Sequence, residues 1–416
     1  MPRSLKRLSD ALRPGMRVFV PAMAGESAWL TQELLADPER AAGVDFCAFQ
    51  FPGIDRSDYL ALHPQARLTG CFMSPSMRAG MAAGRSRLLP LDYAGLIHYL
   101  RHGPAFDVAI AQVSPPDADG RCSLGLSSDF TPLAWVRATS RIAHVNPLLP
   151  RTRGSFTISL SETDGWVEAE SAPPTYSDPA VNDIDRGIAR TVAGLIRDGD
   201  TLQFGIGTIP LALGQALASH RRLRLHTGMV TRTLQHLWEA GALDRDARII
   251  TGVALGDRDF HRFVAELPPL WFTDVSQTHH AGHIAVTPRF IAVNAAVEVD
   301  LFGQVNSERM GGALQAGAGG LPAFAQGALA SEGGRLIICL RATAARGTVS
   351  RIVPSLGDKA VCTLGRHLAD TVVTEYGIAE LRHRSVSERA EALIAIAAPE
   401  RREELSQSWA AIRSSL

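Results

Sequence analysis

Short β-rich runs alternate with Ala/Leu-rich stretches of helical character along most of the chain, and this alternation narrows the fold. Residues 18–21, 45–51, 107–113 and 141–145 read as strands, with residues 29–35 and 91–100 as helices between them. A second series places strands at 201–204, 248–253, 290–299, 336–340 and 371–374. The alternation predicts α/β units built on buried, largely parallel strands. Residues 169–180 (AESAPPTYSDPA) turn polar and Pro-rich before helix resumes near Val181. That break predicts an N-terminal α/β domain over 1–175 and a C-terminal one over 176–416. A chain of 416 residues is in any case long for one hydrophobic core.

Composition excludes several partners. Lys+Arg and Asp+Glu are equal at 42 each, so no net field favours nucleic acid or an anionic membrane. Any phosphate-rich ligand has to be held by local groups. Cys47, Cys71, Cys122, Cys339 and Cys362 form no CxxC pair and read as buried small apolar residues of a protein in a reducing compartment. The N-terminal stretch has basic residues but no apolar core of a signal sequence. No run approaches the ~20 apolar residues of a membrane helix. The expectation is a soluble, cytoplasmic protein.

Two glycine loops carry the chemistry. In Asp198–Pro210 (DGDTLQFGIGTIP) a strand ends at Phe204, and Gly205-Ile206-Gly207 turns the chain toward a helix. Thr208 is the expected cap and Pro210 the expected first helical residue. A helix start offers free N–H donors and the positive end of the dipole. The second loop, Gly317-Ala318-Gly319-Gly320, follows the run FIAVNAAVEVDLFGQVNSE and also precedes a helix. Glycine there lets N–H groups approach an anionic or carbonyl oxygen without interference from Cβ. Either loop alone is also what a plain strand-to-helix turn looks like. Two at strand ends in one domain can converge at the C-terminal edge of a sheet, where α/β proteins bind ligands.

Further motifs are Val113-Ser114-Pro115-Pro116-Asp117, Cys122-Ser123-Leu124-Gly125-Leu126-Ser127 and Pro150-Arg151-Thr152. Later in the chain come Ser350-Arg351-Ile352-Val353-Pro354, Val373-Thr374-Glu375-Tyr376-Gly377-Ile378-Ala379 and Ser387-Glu388-Arg389-Ala390. With the two loops, they make nearly the whole chain resemble the acetyl-CoA hydrolase/transferase family, which includes the 4-hydroxybutyrate CoA-transferases. The resemblance implies two open α/β domains of the NagB/RpiA/CoA-transferase-like type. It implies an acyl-CoA bound between the halves, with coenzyme A arriving as part of the substrate, and a small carboxylate as the acceptor of a transfer. Gly205, Ile206, Gly207, Thr208, Ile209, Asn294, Gly317 and Gly320 are implied to hold CoA, and the Gly319 N–H to face the thioester oxyanion. A homodimer is the expected assembly.

The chain departs from the family pattern at one consequential point. Relatives form a glutamyl-CoA thioester on a glutamate inside an H-[ST]-E-[MV] segment, and the corresponding segment reads His226-Thr227-Gly228-Met229. Glycine cannot carry an acyl group. Where relatives have Tyr-Val-Asn, this chain has Gln277-Thr278-His279. Imidazole near its usual pKa of ~6.5 is a common base for activating water. The expectation is therefore thioester hydrolysis with His279 as base. CoA transfer by a relocated carboxylate or by direct attack, and an inactive acyl-CoA binder, stay open as alternatives. His279, His280 and His283 (HHAGH) lack the glutamate of an HExxH site, so no metal is expected. Glu298 and Asp300 are expected to brace the strand and loop, with Glu308 a reserve nucleophile. Glu375 and Tyr376 are expected to serve packing or an interface.

Overall fold

The computed structural model describes residues 3–358 and 360–416. Its contacts divide the chain into two compact units. The first takes the chain up to Ser177 together with Gly228–Thr231 and Arg248–Thr278; the second takes Asp178–Thr227, Arg232–Ala247 and His279–Leu416. Residues 248–253, placed by the sequence in the second series, thus cluster with the first unit, where Ile249–Thr251 pairs in parallel with Leu270–Phe272.

The first unit is built on an eight-stranded sheet. In chain order its strands are β1 (Arg3–Ser4), β2 (Arg17–Phe19), β3 (Asp45–Cys47), β4 (Arg67–Gly70), β5 (Ser86–Leu88), β6 (Phe106–Val113), β7 (Ala138–Val145) and β8 (Gly165–Glu168). Across the sheet the order is β1-β8-β7-β6-β2-β3-β4-β5, and every pairing is parallel. From β2 the chain steps outward through β3, β4 and β5, then returns to lay β6 on the other side of β2. The junction of β2 and β6 is the topological switch point, where open α/β sheets leave a crevice outside the strand ends. β6 (FDVAIAQV) is buried at all but one position, as expected of a central strand covered on both faces. Helices start where sequence provides caps: Ser27 accepts from Leu30 N at the head of Ala28–Ala36, and Asp92 from Gly95 N at the head of Tyr93–His102. An aromatic group of Phe19, Phe49, Phe72, Tyr93, Phe106 and Phe130 fills the core beneath.

The second unit holds a six-stranded sheet of β9 (Thr201–Phe204), β10 (Arg224–Leu225), β11 (Phe290–Ala295), β12 (Arg335–Cys339), β13 (Thr371–Thr374) and β14 (Gly377–Glu380). Its order is β10-β9-β11-β12-β13-β14. All pairs are parallel except the closing hairpin β13–β14. Here β9 and β11 flank the switch point. The helices Thr208–Ala216 and Leu321–Ala330 each run back from the C-terminal edge of this sheet, so both glycine loops lie at that edge. Four cysteines are buried, as expected, but Cys362 is exposed, in a loop where its Sγ donates to the Leu364 carbonyl. No helix among the described residues is long and apolar enough to cross a membrane.

Candidate active site

In the second unit, the chain leaves β9 through Gly205, Ile206 and Gly207. Gly207 has φ 115° and is the residue before the helix, with no side-chain cap. The helix therefore begins at Thr208 and Pro210 is its third residue, not its first. A proline costs nothing there, since the first four helical N–H groups lack intrahelical partners anyway. The Thr208 hydroxyl is not a cap but a partner of Asp185. Arg341 grips the same carboxylate bidentately, with its Nε 2.8 Å from Oδ1 and Nη2 2.7 Å from Oδ2. Burial would raise the Asp185 pKa, but the bonds from Arg341 and Thr208 outweigh it and hold it below the usual carboxylate range. A Cβ built at Gly205 or Gly207 would meet nothing within 4 Å. The loop thus presents bare backbone to open space. Ile209 behind it is buried.

Asn294 lies near the end of β11, beside this loop. Its Nδ2 donates to Gln203 Oε1 at 2.9 Å, and Gln203 Nε2 returns a bond to Asn294 Oδ1 at 3.4 Å. The paired amides fix each other's orientation across the switch point. The second loop reaches Gly319 in the left-handed region (φ 58°), with Gly320 as the residue before the helix.

His279 stands against this second loop. A Cβ on Gly320 would fall 2.4 Å from the His279 Nε2, so the imidazole rests directly on the glycine. The ring also packs on Phe324 at 4.6 Å between centroids, and Phe324 stacks on Phe290, which meets His226 edge-on. Burial, reinforced by the like charge of His226, pushes the His279 pKa down to about 3. The imidazole is therefore neutral, and weakly basic, across the physiological range. His280 instead caps the short helix Ala281–Ala285 through its Nδ1, which accepts from His283 N. Among the described residues, no group of three His, Cys, Asp or Glu could hold a metal ion.

The remaining carboxylates are tied down. Glu298 accepts from Asn306 Nδ2; Asp300 accepts from the N–H groups of Phe302, Gln304 and Leu356. Glu308 accepts from Thr363 Oγ1, and burial raises its pKa. Glu375 accepts from Ala342 N, while Tyr376 is 45% exposed.

Gly228 belongs to the first unit. Its carbonyl accepts from Gly252 N at 3.0 Å and Val253 N at 3.1 Å, which anchors Met229–Val230 alongside Val253–Ala254. Sequence reading missed the side chain brought to this place, Asp129. A Cβ on Gly252 would lie 3.1 Å from the Gly228 carbonyl oxygen and 3.6 Å from Asp129 Oδ1. Asp129 is 5% exposed, and its backbone is left-handed (φ 28°). Burial, with the charges of Asp274 and Asp55, pushes its pKa up to about 8. The sequence gives one faint signal, an acidic residue standing next to Phe130 in an apolar stretch.

Comparison with known proteins supplies the family. The acetyl-CoA hydrolase/transferase N-terminal domain model matches residues 4–174, and the C-terminal domain model matches residues 256–409. A 4-hydroxybutyrate coenzyme A transferase of Clostridium kluyveri is 33% identical over 94% of this chain and 93% of its own. An acetyl-CoA hydrolase of Kluyveromyces lactis is 29% identical over 53% of this chain and 44% of its own. Among solved structures, RipA from Yersinia pestis superposes with a TM-score of 0.88 at 26% identity, covering 99% of this chain and 98% of that one. The fold, the paired glycine loops and these likenesses lead to one statement: the chain belongs to the acetyl-CoA hydrolase/transferase family and is an enzyme of the CoA-transferase/hydrolase type.

Proposed function

We propose that the protein hydrolyses acyl-CoA thioesters, with water taking the place of a protein carboxylate as the attacking group. The observation that carries this reading is Gly228. The position that bears a glutamate in the family's covalent transferases is glycine here, and the Gly228 carbonyl accepts from Gly252 N and Val253 N. No anhydride or enzyme-bound thioester can form at that position.

The second unit supplies the binding functions. The bare backbone of Gly205–Gly207 approaches CoA, Asn294 is held in one orientation by Gln203, and the Gly319 N–H faces the oxyanion that develops on the thioester oxygen. His279 serves this loop differently from the sequence expectation. Neutral and wedged between Gly320 and Phe324, it fixes the loop's shape and is not the base.

Transfer of CoA between small carboxylic acids is the second reading, favoured by the 33% identity to the Clostridium kluyveri transferase. The two separate in one assay: thiol release from acetyl-, propionyl- and succinyl-CoA, with and without acetate as acceptor. Release without acceptor, and no mass adduct on the protein, is the outcome expected of hydrolysis. Acceptor-dependent exchange with no thiol release establishes transfer instead.

A further inference from the structure

The first unit has a second opening that shares no residue with Gly228 or with either glycine loop. It is a cleft of about 900 Å³ whose lining includes Gly15, Arg17, Asp45, Arg67, Arg85 and Arg87. Arg17 opens β2, Asp45 opens β3, Arg67 opens β4, and Arg87 is the second residue of β5. These four strands run parallel, so the cleft lies at the N-terminal edge of the sheet, away from the switch-point crevice. We infer that the cleft binds a small molecule carrying a chain of phosphates, a nucleoside triphosphate or an inorganic polyphosphate. The inference is independent of the hydrolytic reading.

Register gathers the charges. Arg17 pairs with Asp45, Asp45 with Arg67, and Arg87 with Thr69. Paired positions share a face of the sheet, and so do positions two apart on one strand. Arg17, Asp45, Arg67, Thr69 and Arg87 therefore form one row, and Thr69 Oγ1 donates to Asp45 Oδ1 at 3.1 Å within it. The charges of Arg17, Asp45 and Arg87 all act on the buried Cys47 thiol beside them.

Two of the four guanidiniums are fixed and two are open. Arg17 Nη1 donates to Pro104 O at 2.6 Å, Nη2 to the Tyr99 hydroxyl, and the group lies over the Phe106 ring. Arg85 Nη1 donates to Leu60 O at 2.9 Å. Arg67 and Arg87 are exposed and make no side-chain hydrogen bond or ion pair among the described residues. Like charges on neighbouring strands are destabilising, and Asp45 is the one carboxylate in the lining. The chain as a whole is neutral, with 42 residues of each sign, so this excess is local. A bound anion would offset it, and guanidinium is the side chain best shaped for phosphate.

The form of the cleft selects the ligand. Strands lie ~4.8 Å apart, so a row from β2 to β5 spans roughly 14 Å before the side chains converge. A single anion cannot meet all of it, whereas a phosphate chain can. The volume is in the range of small-molecule sites, roughly 300–1,000 Å³.

Isothermal titration calorimetry of the full chain at low ionic strength tests the site, with tripolyphosphate, ATP and citrate as probes. Tripolyphosphate and ATP should bind wild type, and Arg67→Gln and Arg87→Gln should each weaken both about tenfold. Arg413→Gln, an exposed charge removed from the last helix, should leave both unchanged. Without ligand, urea denaturation should show the two cleft variants at least as stable as wild type, because like-charge repulsion is relieved. ATP binding tighter than tripolyphosphate identifies a nucleotide, and equal affinity identifies the phosphate chain alone. Absence of binding to wild type, or affinity unchanged in both cleft variants, overturns the site. Citrate binding as tightly as tripolyphosphate overturns the phosphate assignment. A KM for acetyl-CoA that rises in parallel with the lost ATP affinity would make the ligand the diphosphate of CoA itself, and overturns a separate site.

Discussion

Gly228 is not among the glycines with positive φ, so a side chain at this position carries no backbone penalty of the left-handed kind. Gly228→Glu places a carboxylate at the position that, on the proposed reading, bears the nucleophile in the covalent transferases. We expect it to accumulate a covalent CoA adduct on incubation with acetyl-CoA, seen by intact mass and removed by hydroxylamine, while the native protein shows none. An adduct on the native protein would mean that another residue is the nucleophile. What the sequence revealed at this scale was backbone chemistry. The glycines of both loops could be read as turns ahead of helices, while Asn294 came only from the family resemblance. Asp129 could not be found that way, because it meets Gly228 only through folded contacts: Ser128 donates to Gly252, and Gly252 donates to Gly228. The weak basicity of His279 was equally hidden, since it comes from burial against Gly320 and Phe324 and not from the identity of the residue.

The two loops differ in what a substitution would do, which allows binding to be separated from folding. Gly207, at φ 115°, is strained by any side chain, so a Gly207 variant confounds fold with function. Gly205 has no positive φ and open space at its Cβ position. Gly205→Ala should leave unfolding free energy within about 0.5 kcal/mol of wild type. It should still raise KM for acetyl-CoA about tenfold, equivalent to about 1.4 kcal/mol of lost approach. Unchanged KM would reduce this loop to a turn. Gly320→Ala should do the opposite. Its methyl would sit 2.4 Å from the His279 ring, and forcing the imidazole aside costs about 1–3 kcal/mol, measurable in urea denaturation. The central strands of both sheets were legible as apolar runs, whereas the peripheral β1, β4, β5, β8, β10 and β14 were not read from the sequence. β9 and β13 match their sequence-derived bounds, because burial on both faces leaves an unbroken signal. The helix start at Thr208 was misplaced because Pro210 suggested the first position, whereas proline is tolerated anywhere in the first turn. The clustering of Arg248–Thr278 with the first unit was invisible, since chain order says nothing about which unit a returning segment joins.

The whole molecule carries no net charge, so its stability responds to pH through individual buried groups and not through general repulsion. Two kinds of group pull in opposite directions. His279 has a folded pKa depressed from 6.5 to about 3, so the stability it contributes is present above 6.5 and lost as pH falls toward 3. Asp129 and Asp55 have folded pKa values raised from 3.8 to about 8 and about 7. Their contribution is full below 3.8 and lost as pH rises through those values, because the unfolded chain releases protons that the native state retains. Between 3.8 and 6.5 the two effects oppose each other. Between about 6.5 and 8 the buried carboxyls act without the histidine, and stability should fall as pH rises. Each proton retained contributes a slope of about 1.4 kcal/mol per pH unit. Asp129→Asn cannot ionise and should remove about one proton's worth of that slope, gaining on wild type as pH increases from 6.5 to 8. Urea denaturation at pH 6.5, 7.2 and 8 measures this without any substrate. Parallel curves for the two proteins would show that Asp129 is ionised in the native state at neutral pH.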